Sequence, residues 1–265
     1  MKGLRTFLKK MRPDEEVMQR FRSILRESDG FECHPFRVGA YNELADRYFQ
    51  LHYDPQTLGV VVLNTPSFLE TTFRKWLVGQ RKPNESMNDV KERFKTEPLN
   101  SYFDELFDKV RKELEPFNND LIHDYDVLPN RRPLVLMTTV GHVAGIAYFY
   151  RPKETTQTAN STNGPTKRRM GLSMHNKYGA NFAFRCVFIF PDIRVPPDFV
   201  DKKPIKMLTD DEAEEAINLF NDHWRDGRFR SVGNPVEKYS DLQTKFFGTP
   251  PLDRWPIIAS WFEES

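Results

Sequence analysis

Five arginines, one histidine and two cysteines are the side chains whose settings point to chemistry. Arg185 sits inside the run Ala183-Phe184-Arg185-Cys186-Val187-Phe188, and Arg225, Arg228, Arg230 and Arg254 follow it. An arginine within a buried strand needs an anion, because an unpaired buried charge is strongly disfavoured. That anion is either an internal Asp or Glu, or the carboxylate or phosphate of a bound ligand. His142 lies in an apolar stretch with Gly145 three residues later, where a neutral imidazole can coordinate a metal, carry a proton or make a structural hydrogen bond. His34, His52, His123, His175 and His223 show no HExxH or CxxC spacing, so a protein-built metal centre is not expected. Cys186 has apolar neighbours that disfavour a thiolate, and Cys33 has His34 beside it only in sequence. No Gly-x-Ser-x-Gly elbow, P-loop or Gly-x-Gly-x-x-Gly is present. Redox or thiol chemistry therefore falls to bound molecules.

The chain has 265 residues, enough for two small domains or one well-filled one. With 38% apolar residues, including 22 Phe, 9 Tyr and 4 Trp, it can bury a sizeable core, which excludes global disorder. The 39 basic and 38 acidic side chains nearly cancel, leaving no field that favours nucleic acid or an anionic membrane. The clusters Asn130-Arg131-Arg132-Pro133 and Lys167-Arg168-Arg169 are short and isolated, as on a solvated face. Val143 to Tyr150, the longest apolar stretch, is eight residues, far short of the about 20 that span a bilayer. Two cysteines and no signal-peptide core imply a reducing, cytoplasmic setting.

These residues must be positioned by a mixture of helices and strands. Leu4, Phe7, Leu8 and Met11 recur at helical spacing among basic residues, as in a weak transit peptide or in the first turns of a helix continuing through Val17, Phe21, Ile24 and Leu25. Ser28-Asp29-Gly30 ends it. Leu58 to Leu63 reads as a buried strand, followed by a helix capped by Thr65 with Pro66 at its first position. Residues 86–116 read as helix broken near Pro98. Asp120 to Val127, Leu134 to Thr139, Val143 to Tyr150, Met170 to His175 and Asn181 to Phe190 read as strands. The polar stretch 152–166 predicts a mobile excursion. Thr209 with Glu212 and Ser240 with Gln243 form capping boxes for two late helices.

Longer blocks then bring a known family into view. Asp29-Gly30-Phe31-Glu32, Pro35-Phe36-Arg37-Val38, Tyr41-Asn42-Glu43-Leu44, Asp124-Tyr125-Asp126-Val127 and Pro129 to Pro133 resemble the CblC family of intracellular cobalamin-processing proteins. So do His142-Val143-Ala144-Gly145, the strand around Arg185, His223-Trp224-Arg225-Asp226 and Thr249-Pro250-Pro251, and the likeness runs from about residue 29 to 254.

The resemblance implies a single α+β domain over residues 1–265, similar to flavin-dependent nitroreductases, with a central, mainly antiparallel sheet flanked by helices. It implies binding of cobalamin with its lower base detached, which makes cobalt easier to reduce. Cyanocobalamin would lose cyanide to electrons from reduced FMN or FAD, with NADPH as the electron source, and alkylcobalamins would pass their alkyl group to glutathione. The family's glutathione-binding arginines match Arg185, Arg230 and Arg254. Its cobalamin contacts match Asp124, Val135, Leu136, Met137, Thr138, Phe149, Tyr150, Arg151, Ser173 and Phe184, with His142 and Gly145 lining the pocket. A CblD-like trafficking partner, delivery towards methionine synthase and a ligand-dependent homodimer also follow from the resemblance. The chain departs from vertebrate relatives at Gly179-Ala180, where they have two glycines, and at Gly227, where they have tryptophan. The rival readings are an escort that binds cobalamin without chemistry and a flavin reductase of the same fold.

Overall fold

The computed structural model describes residues 11–94, 98–153 and 169–263. In chain order come α1 (Pro13–Ile24), β1 (Phe31–Arg37), α2 (Val38–Leu44), β2 (Thr57–Asn64), α3 (Arg74–Gly79), α4 (Met87–Phe94) and α5 (Pro98–Glu113). There follow β3 (Asp120–His123), α6 (Met137–Val143), β4 (Ala147–Tyr150), β5 (Leu172–His175), β6 (Ala183–Arg194), α7 (Asp210–His223), α8 (Asp241–Phe247) and α9 (Ser260–Glu263). The central sheet has the order β1-β2-β6-β3 with every pair antiparallel, and β4 pairs with β5 in a separate ribbon. This is the expected α+β arrangement of a central antiparallel sheet flanked by helices.

The β-branched run of β2 is buried along its whole length because both faces of the sheet are covered. Val60 and Val62 face one core with Phe21, Phe103, Phe107 and Phe188, and Val61 and Leu63 face another with Tyr41, Val140 and Val187. In α1 the expected stripe is present: Phe21 meets Phe188 edge-on at 5.1 Å. Both capping boxes form, Thr209 Oγ1 accepting from Glu212 N at 3.3 Å and Ser240 Oγ from Gln243 N at 3.1 Å. Gly30 takes φ 82° after a short turn, as the close of a helical segment requires.

Several expected elements change. Leu134 to Thr139 is not a strand: Met137 to Val143 forms α6, because its small and branched residues Thr139, Val140 and Gly141 seat a tight helix against the sheet. Gly141 lets the Phe184 ring approach to where a Cβ would be 2.2 Å from it. The strand expected from Val143 is therefore shortened to β4. The strand expected to reach Val127 ends at His123, whose N–H donates to the Asp126 carboxylate at 2.8 Å in a turn. Thr65 and Pro66 lie in a turn, and the helix winds wide over Leu69–Phe73 before becoming α3. The stretch expected as an excursion lies, beyond residue 153, outside the described residues, as do residues 1–10 of the basic N-terminus. Among the described residues no helix is long and apolar enough to cross a membrane.

Glu32 ties the edge strand β1 to the turn after β5. It accepts from the Tyr178 hydroxyl at 2.7 Å, lies 2.9 Å from His34 Nε2 and 3.5 Å from His175 Nε2. His175 Nδ1 accepts backbone N–H groups of Lys177 and Tyr178 at 3.1 and 3.4 Å, so its proton resides on Nε2, facing Glu32. Burial raises the Glu32 pKa, but the bonds from His175, His34 and Tyr178 prevail and hold it well below the usual carboxylate range. A depressed folded pKa stabilises the fold above the unfolded value of about 4.3, and the gain disappears as pH falls through the lower folded value. Glu32→Gln should therefore cost about 1–2 kcal/mol at neutral pH, with the gap to wild type closing in acid below about pH 4, as read by urea denaturation across pH.

Candidate functional site

A cleft of about 560 Å³ opens between the α6–β4 side and α7. His142, Tyr148, Phe149, Tyr150 and Arg151 form one wall, and Asp210, Ala213, Glu214 and Ile217 the other. Of the expected cobalamin contacts, the structure thus brings His142, Phe149, Tyr150 and Arg151 together. Ser173 faces Phe149 across the β4–β5 pair, and its Oγ is buried without a hydrogen-bond partner among the described residues. Such an orphan is an opening for a ligand's polar group. Met137 and Thr138 are half-buried in the first turn of α6, with Val135 and Leu136 just ahead of it; the Leu136 N–H donates to Tyr41 Oη at 3.1 Å.

His142 Nδ1 accepts the Phe149 N–H at 3.2 Å, leaving Nε2 to carry the neutral ring's proton. Burial and the nearby Arg151 charge both lower its pKa. Gly145 has a conformational reason of its own: it sits at φ 73° just after α6, and a Cβ there would meet Lys202 Cβ at 2.3 Å.

Asp124 does not line this cleft; it belongs with Arg185. The pairing of β2 with β6 shifts register between Val62 and Leu63, whose partners are Cys186 and Phe184, so Arg185 is the extra residue of a bulge. Bulges re-aim side chains next to functional sites. The Arg185 Nε donates to Asn64 Oδ1, its guanidinium lies 4.6 Å from the Phe103 ring centroid, and a guanidinium nitrogen is 3.7 Å from Asp124 Oδ2. That last distance is too long for a hydrogen bond. Burial raises the Asp124 pKa against the pull of Arg185.

Arg230 differs in having no carboxylate partner among the described residues. Its guanidinium stacks between Phe229, at 4.6 Å, and Tyr239, at 4.9 Å, and donates to the Ala180 carbonyl. Burial lowers its pKa. Arg254 lies over Phe246 at 5.0 Å and donates from Nε to the Thr249 carbonyl at 2.9 Å. The Tyr239 ring stacks on Phe247 at 5.1 Å, so one aromatic pair links Arg230 and Arg254, while Arg185 packs on Phe103 and acts on the Tyr239 phenol through its charge. Arg225 and Arg228 are exposed; Arg225 lies over Trp224 and Arg228 pairs with Asp226. Burial pushes up both thiols, Cys33 and Cys186, in keeping with inert cysteines.

Asn64, Phe103 and Tyr239 escaped sequence reasoning. Only Asn64 left a trace, as a polar residue ending an apolar strand. At the two positions where the resemblance implies departures from vertebrate relatives, Ala180 supplies the carbonyl that receives Arg230, and Gly227 occupies a left-handed turn at φ 72° whose carbonyl accepts the Arg230 N–H at 2.9 Å.

Fold and site together describe an α+β protein with an aromatic-walled cleft and a separate group of arginines packed on aromatic rings. Residues 30–258 match the model of the "Methylmalonic aciduria and homocystinuria type C family", and the chain belongs to that family. It is similar to a Caenorhabditis elegans "MMACHC-like protein", 38% identical over 90% of this chain and 91% of the relative. A Gallus gallus protein named "Cyanocobalamin reductase / alkylcobalamin dealkylase" is 34% identical over 93% and 97% of the two chains. The crystal structure of a C. elegans B12-trafficking protein CblC superposes with a TM-score of 0.87 at 36% identity, covering 95% of this chain and 97% of that one.

A half-buried cation with no acid partner among the described residues is a burden on folding. Arg230→Met should therefore be at least as stable as wild type in urea, since an apolar side chain of similar length removes the desolvation cost. A loss above about 2 kcal/mol would instead show Arg230 to be a structural anchor.

Proposed function

We propose that this chain, folded as one cytoplasmic domain related to flavin-dependent nitroreductases, strips upper axial ligands from cobalamin. The two reactions are reductive decyanation of cyanocobalamin and transfer of the alkyl group of alkylcobalamins to glutathione. Family membership and the names of the relatives support the activity. The observation that carries the thiol half is Arg230, a half-buried guanidinium with no carboxylate partner among the described residues.

Glutathione brings two carboxylates, and Arg185, Arg230 and Arg254 are suited to receive them. Asp124, at 3.7 Å and without a hydrogen bond, leaves Arg185 free to turn to a ligand. The same cations favour the thiolate over the thiol, whose proton passes to solvent. The thiolate attacks the alkyl carbon, the cobalt–carbon bond breaks with both electrons staying on cobalt, and cob(I)alamin and a thioether result. The protein's part is placement and electrostatics. The corrinoid would contact the cleft residues His142, Phe149, Tyr150 and Arg151, with Ser173 Oγ meeting a polar edge of the ligand. Gly145, Val135, Leu136, Met137, Thr138 and Phe184 would back it, and Asp124 would reach it from the Arg185 side.

For decyanation, reduced FMN or FAD supplies the electrons when bound, with NADPH as the upstream donor. Tyr148, Phe149 and Arg151 offer the aromatic faces and the cation that a flavin's ring and phosphate need. Product would pass to a CblD-like partner on the way to methionine synthase.

Arg230→Ala should lower kcat/KM for glutathione in methylcobalamin dealkylation by about 10- to 100-fold, the value of one or two charge-assisted hydrogen bonds. Cobalamin affinity, read from the absorption spectrum, should change little. Equal losses in both would contradict the assignment. A bound methylcobalamin spectrum left unchanged by glutathione in wild-type protein would overturn the dealkylase itself.

A further inference from the structure

The thiol pocket is assembled from two stretches, the turn at 175–181 and the loop at 230–239, which meet nowhere in sequence. Asn181 stands where they join. Its side chain is almost fully buried, 2% exposed, and every polar atom on it is used. The amide nitrogen donates to the Tyr178 carbonyl at 2.9 Å and to the Arg230 carbonyl at 3.0 Å, and Oδ1 accepts the Tyr239 N–H at 3.2 Å. The orientation of the amide is unambiguous, because two of its neighbours can only accept and the third can only donate.

One side chain therefore holds both ends of the loop that carries the Arg230 guanidinium and the Tyr239 ring stacked on it. The middle of that loop hangs from the same turn: Val236 N–H donates to the Lys177 carbonyl at 2.9 Å. At Gly179, φ 56°, a Cβ would stand 3.0 Å from Pro235 and 3.2 Å from the Arg230 carbonyl, so loop and turn are in contact. The Arg230 guanidinium itself returns to the turn through the Ala180 carbonyl. Backbone and side chain of Arg230 are thus fixed by adjacent residues, 180 and 181.

We infer that Asn181 is the positioning residue of the thiol pocket: it touches no reactant but aims Arg230 at the thiol's carboxylate. This rests on the reading of Arg230 as a glutathione contact. Positioning predicts a selective defect, because a thiol without a carboxylate makes no use of Arg230.

The test compares glutathione with 2-mercaptoethanol as alkyl acceptors from methylcobalamin, in wild type, Asn181→Ala, Arg230→Ala and the double variant. Asn181→Ser, which keeps one hydroxyl at the join, provides the readout should the alanine variant fold poorly. Expected for Asn181→Ala is a drop of about tenfold in kcat/KM for glutathione, carried by KM, with the 2-mercaptoethanol rate and cobalamin affinity unchanged. The double variant should be no worse than Arg230→Ala alone, since both changes remove one interaction. Equal losses with both thiols, or losses that multiply in the double variant, would overturn the positioning role. An Arg230→Ala enzyme with normal glutathione KM would overturn the reading beneath it. A sensitive Arg230 with silent Asn181 variants would overturn only the inference.

Discussion

A half-buried guanidinium packed against two aromatic rings, with one protein carbonyl as acceptor, is stable only if something offsets its lost hydration. The two cation–π contacts at Arg230 are worth about 0.5–2 kcal/mol each, less than the several kcal/mol that desolvation of an ion costs. No carboxylate among the described residues supplies the remainder. The fold holds the charge against packed rings and a backbone carbonyl, a setting suited to an incoming anion.

Arg185 solves the related problem differently. A bulge in β6 lifts it out of the ladder, Asn64 orients it, and Asp124 stands near enough to ease its charge without binding it. The sheet supplies both sites: Phe184 crosses Gly141 on the α6 side, while Arg185, the next residue, lies against Phe103 on the other. Consecutive residues of one strand thus serve opposite faces of the sheet.

What the sequence disclosed follows the range of the forces involved. The β2 run, the α1 stripe and both capping boxes are local patterns, and each has the expected structure. Arg185 was likewise readable, because a cation in an apolar run demands an anion, and Asp124 stands 3.7 Å from it. The edge strand β1 was missed because Pro35 and alternating polar residues disguise it, although an edge position accommodates proline. The helix α6 was taken for a strand because tertiary packing against Phe184 outweighs the β preference of its branched residues. Asn64 and Asn181 are single polar residues that bond Arg185 and Arg230 121 and 49 positions away, and Tyr239 meets Arg230 and Phe247 nine and eight positions away through no regular spacing, so no local pattern marks them. The family resemblance groups the three arginines; the structure separates Arg185, which has Asp124 3.7 Å away, from Arg230, which has no acid partner among the described residues.

The most direct measurement is calorimetric titration of cobalamin-loaded protein with glutathione and with its dimethyl ester, in which both carboxylates are capped. A carboxylate seated on Arg230 predicts that the ester binds at least about tenfold more weakly, or about 1.4 kcal/mol. Equal affinity for the two would contradict a carboxylate-receiving pocket and leave the buried cation without its partner.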